Sequence, residues 1–87
     1  MILQWDFYEI RSKGVPLHGI KLRGSIRKFT IEKQITCLME NASDEENVVR
    51  FALISDTNPK PITEFVRRLL PEADIRESLK NIPNPVL

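Results

Sequence analysis

Early in the chain, seven residues have the types and spacing suited to gripping an anion: Leu17-His18-Gly19-Ile20-Lys21-Leu22-Arg23. They follow a strand-like run, carry a glycine where a turn is needed, and open a segment of helical periodicity. Such a loop aims successive backbone N–H groups at one point, and a helix start adds the partial positive charge of its unpaired donors. Pro16 contributes no amide, but those from Leu17 to Arg23 are expected to be available to a ligand. Arg23 adds a planar guanidinium whose fork matches two oxygens of a phosphate or carboxylate. A cation is disfavoured at a helix start unless an anion lies between them, so the position of Arg23 itself argues for a bound oxyanion.

The charge pattern agrees with an anionic ligand. Residues 9–33 hold seven Lys and Arg against Glu9 and Glu32, a net charge of +5, whereas residues 40–46 carry −4. A basic segment around the loop draws anions toward it. Within that segment Arg27, Lys28 and Lys33 read as the solvated face of a helix.

Other chemistries find little support. His18 is the only histidine, so it forms no histidine pair or metal cluster, and a structural or surface role is expected for it. Cys37 is the only cysteine, which excludes an internal disulfide. Among Ile35, Leu38 and Met39 it reads as a buried structural thiol. There is no P-loop and no serine in a nucleophile elbow. At 87 residues, 41% hydrophobic and 29% charged, the chain is expected to form one domain spanning 1–87. No apolar run approaches a bilayer span and the N-terminus lacks a signal pattern, so a cytoplasmic location without a membrane partner is expected.

The elements that must position the loop follow from periodicity. Trp5 and Phe7 alternate with Gln4, Asp6 and Tyr8, a half-buried first strand running toward Arg11. Leu22, Ile26, Phe29 and Thr30 predict a helix of about three turns from Leu22, in which Gly24 weakens the first turn or permits close backbone packing. Residues 35–40 and 48–54 read as a hairpin around a polar turn at 41–47. Pro61 suits the first position of a second helix, whose stripe is Ile62, Phe65, Val66, Leu69 and Leu70, and Pro71 stops it. Phe29, Ile26, Phe65, Val66 and Leu69 are expected between helices and sheet. Residues 73–81 fit either a last strand or a short helix with Ile75 and Leu79 on one face. The order predicts an α+β fold of the ferredoxin-like, split β-α-β kind (βαββαβ): an antiparallel sheet with two helices on one face.

The loop resembles the phosphate cradle of the acylphosphatases, which reads roughly Val-Gln-Gly-Val-x-Phe/Tyr-Arg. Leu17, His18, Gly19, Ile20, Leu22 and Arg23 fall on those positions, and Asn41 falls on the family's asparagine. The resemblance covers roughly residues 5–70 and implies the same fold. It implies that the amides of Leu17, His18, Gly19, Ile20, Lys21 and Leu22, with Arg23, hold the phosphate of an acyl phosphate. Asn41, at the end of the second strand and beside the first strand's loop, would orient the attacking water. Arg23 and Asn41 would then be the catalytic residues, with no metal, cofactor or covalent intermediate, in a monomer acting on a small acyl phosphate.

Departures from the pattern leave a second reading open. Val15 stands at a family glycine, with Gly14 one residue earlier, and Glu45-Glu46 replace an Asp-Gly turn. A catalytically degenerate anion-binding or regulatory interaction module would tolerate these changes. An RNA-recognition motif shares the element order, but residues 48–54 offer only Phe51 for base stacking, so no nucleic-acid partner is expected.

Overall fold

The computed structural model describes residues 3–17, 20–41 and 47–83. Strand β1 (Trp5–Arg11) leads through a long loop to helix α1 (Leu22–Glu32). Strands β2 (Cys37–Asn41) and β3 (Val48–Ile54) follow, then helix α2 (Lys60–Leu69) and strand β4 (Asp74–Ile82). All pairings are antiparallel and the sheet order is β2-β3-β1-β4. Residues 73–81, which the sequence left as strand or helix, therefore belong mainly to an edge strand.

Both helices pack on one face of the sheet. Leu22 and Ile26 of α1 and Ile62 and Val66 of α2 join Tyr8, Ile10, Val49, Phe51 and Leu53 in one cluster. Spacing of i, i+4 in each helix puts these residues on a single stripe, and burying that stripe against the sheet stabilises the fold. The opposite sheet face carries Trp5, Phe7 and Ala52, flanked by Leu38, Ile54 and Ile82. The first strand thus differs from its expected alternation. Tyr8 and Ile10 face the helices, Trp5 and Phe7 face away, and all four are buried. A central strand needs apolar side chains on both faces, so polar–apolar alternation is a poor guide to it.

Two further expectations are corrected at the helix interface. Phe29 and Phe65 are only half-buried, stacking on each other with ring centroids 4.4 Å apart where α1 meets α2. Leu69 is 49% exposed, and Leu70 is buried in its place. The helix ends between them: Leu70 has left helical geometry (φ −137°, ψ 85°), which swings its side chain toward the sheet ahead of Pro71. At the end of α1, Gln34 takes a left-handed conformation (φ 57°), and the Ile35 and Gln34 N–H groups donate to Thr30 and Ile31 carbonyls. That is a Schellman-type stop built without glycine. A Cβ at Gly24 would meet no atom within 4 Å, so close packing does not require this glycine.

Candidate anion-binding site

Residues 12–21 carry the chain from the end of β1 to the start of α1. Leu17 is fully buried in the core and pins the middle of this segment, so it bears on a ligand through its backbone and not its side chain. The Val15 N–H donates to Ser12 Oγ at 3.1 Å, and the Ile20 N–H donates to the Pro16 carbonyl at 3.1 Å. The Leu22 N–H donates to the Leu17 carbonyl at 3.1 Å, and the Leu17 N–H to Asn47 Oδ1 at 2.7 Å. The expectation that every amide from Leu17 to Arg23 is available is therefore corrected: those of Leu17, Ile20 and Leu22 are already engaged.

Among the described residues, the remaining donors lie at the helix start. Lys21 precedes α1 in a left-handed conformation (φ 57°, ψ 42°); no side chain caps the helix and no acid occupies its first turn. Among the described residues, the N–H groups of Lys21, Arg23 and Gly24 have no hydrogen-bond acceptor. Unpaired donors at a helix start attract an anion or water.

These groups border an open cavity of about 640 Å³. One wall is the beginning of α1, with Lys21, Arg23, Gly24 and Arg27; the other is the edge strand β2, with Cys37, Leu38 and Met39. Leu17 and Leu22 also line it. Lys21, Arg23 and Arg27 make no ion pair with a described residue. Three cations along one hollow repel each other and the helix dipole, and an oxyanion between them offsets both effects. Arg27, expected on a solvated helix face, is exposed but lines this hollow one turn beyond Arg23. Its i, i+4 spacing from Arg23 was the available signal.

Cys37 is half-buried, and burial pushes its thiol up to about 12, opposed by a hydrogen bond with the Ala52 backbone. Little thiolate exists near neutral pH, so Cys37 serves as wall and not as nucleophile. Among the described residues, no three His, Cys, Asp or Glu side chains converge on a position for a metal ion. No helix among them is long and apolar enough to cross a membrane.

The other expected site residues are placed unevenly. His18 and Gly19 lie outside the described residues. Ile20 is 42% exposed beside the helix start. Asn41 closes β2 opposite Val49, while its side chain lies outside the described part of the structure. Strand β2 lies at an edge of the sheet, with β3 between it and β1. The hairpin reaches the loop through Asn47, whose side chain bonds Ser12, Val15 and Leu17. Reading residues 41–47 simply as a turn missed Asn47; its sequence signal was an asparagine directly before the β-branched pair Val48-Val49. No protein-family model, curated protein or solved structure matches the chain.

Proposed function

We propose that this chain is a ferredoxin-like domain with acylphosphatase-type activity, hydrolysing the carboxyl–phosphate bond of small acyl phosphates. The observation that carries this reading is the meeting of Lys21, Arg23 and Arg27 with helix-start amides that have no acceptor among the described residues, around one cavity. The strand order and the two helices on one sheet face are compatible with the ferredoxin-like arrangement and support it.

In this mechanism the phosphoryl oxygens accept from the Arg23 guanidinium and from N–H groups of the helix start. Charge on the equatorial oxygens is thereby stabilised by donors that are already oriented. Water, held by Asn41, attacks phosphorus as the bond from phosphorus to the acyl oxygen breaks. The products are a carboxylate and inorganic phosphate, and the proton of the water passes to phosphate or solvent. A carboxylate is a good leaving group, so positioning can suffice without a strong general base.

One observation favours a second reading, a non-enzymatic anion-binding or interaction module. The Leu17, Ile20 and Leu22 amides are occupied within the fold, which leaves a smaller cradle than the loop's length promises. Hydrolysis of benzoyl phosphate, measured with and without EDTA, separates the two. The proposal expects metal-independent turnover, lowered about 10²-fold in Asn41→Ala with phosphate affinity nearly unchanged. A parent chain that binds phosphate but does not hydrolyse benzoyl phosphate supports the second reading.

A further inference from the structure

We infer that Asn47 is the positioning residue of the anion loop, the side chain that fixes the helix-start amides relative to the β2–β3 hairpin. The inference rests on the phosphate-binding reading of that loop and assigns it a dedicated clamp.

Asn47 stands immediately before β3 with φ 56°, a left-handed conformation that asparagine tolerates better than most residues. Both N–H donors and the oxygen of its amide group bond to one segment. Oδ1 accepts from the Leu17 N–H at 2.7 Å, while Nδ2 donates to the Ser12 carbonyl at 2.8 Å and to the Val15 carbonyl at 2.9 Å. This pattern fixes the orientation of the amide. Turned over, it would set an NH2 against an N–H and an oxygen against two carbonyls. The partners lie 30, 32 and 35 residues earlier in the chain, so one side chain does for this loop what a neighbouring strand would do.

The clamp connects directly to the proposed site. Asn47 holds the Leu17 N–H, and the carbonyl of the same Leu17 accepts from the Leu22 N–H, the first residue of α1. Arg23 is the next residue. In the other direction, Asn47 lies two residues from Val49, which pairs with Asn41. A single side chain therefore ties the residues proposed to hold phosphate to the strand pair that carries Asn41. Small errors in such positioning weaken binding and turnover far more than they weaken the fold.

The test replaces Asn47 by glycine, which keeps the left-handed backbone while deleting three hydrogen bonds. Ser55→Ala serves as the comparison. Ser55 Oγ donates to Asp6 Oδ1 at 2.9 Å at the opposite end of β1, so its loss lowers stability away from the loop. Inorganic phosphate affinity and melting temperature are measured for all three proteins, at a temperature where each is folded. Asn47→Gly is expected to bind phosphate about tenfold more weakly or worse, and Ser55→Ala as the parent does, although both melt lower. Equal phosphate affinity in Asn47→Gly and the parent, with only the melting temperature lowered, overturns the inference and leaves the phosphate reading standing. A parent that does not bind phosphate overturns both.

Discussion

Arg23→Ala is expected to lose phosphate affinity and acyl phosphate turnover together. Arg23 lines the cavity at the start of α1, where Lys21, Gly24 and Arg27 also lie. Because it would contact the phosphoryl group in both the ground state and the transition state, its removal should affect binding and kcat alike. One oriented donor to a developing oxyanion is worth about 10²–10³ in rate, and a fall of that size in kcat/KM is expected for benzoyl phosphate. Arg23→Lys should recover little, because an ammonium lacks the two-pronged geometry of the guanidinium. Steady-state kinetics and a phosphate titration of the three proteins check this. Parent-like behaviour of Arg23→Ala removes the residue from the site.

Phe51→Ala is expected to produce the largest loss of stability. Phe51 is fully buried in the central strand β3 and stacks on Tyr8, ring centroids 4.9 Å apart and 11° from parallel. Truncating a buried phenylalanine costs about 3–5 kcal/mol once the cavity is counted. A domain of this length has roughly 4–13 kcal/mol in total, so the variant should melt far lower or fail to fold at 37 °C. Phe65→Ala should cost distinctly less, because Phe65 is half-buried and its main aromatic partner is Phe29. Chemical denaturation of both variants decides the ranking, and an equal loss contradicts the assigned burial.

The contrast between these phenylalanines shows what the sequence could reveal. Strand β3, from Val48 to Ile54, was legible to its ends, because a central strand is an apolar run bounded by polar turns. The start of α1 at Leu22 was legible for the same kind of reason: Leu22, Ile26 and Thr30 repeat at i, i+4 and i+8 and are buried. Strand β4 was not, because as a largely exposed edge strand it carries charges such as Arg76, Glu77 and Lys80. Its Ile75 and Leu79 fit a helix as well as a strand. Leu69 and Leu70 exchanged places because helix periodicity cannot foresee where the last turn unwinds.

The candidate site divides similarly. Arg23 was legible because its helix start follows from local spacing, and the structure sets it on a cavity with Lys21 and Arg27. Asn47 was not legible, because its partners at Ser12, Val15 and Leu17 are brought to it only by the folding of the sheet. One occupied amide was hidden for the same reason: the bond from the Leu17 N–H to Asn47 exists only in the assembled fold, whereas those of Ile20 and Leu22 go to the Pro16 and Leu17 carbonyls within the loop.

Titrating the 15N-labelled chain with inorganic phosphate and following its amide resonances tests the central claim most directly. The amides of Lys21, Arg23 and Gly24 should shift most and saturate together, because they are the donors at the helix start without a described acceptor. Saturation with no shift at these amides, or with the largest shifts along α2 and β4, would contradict an oxyanion site at the start of α1.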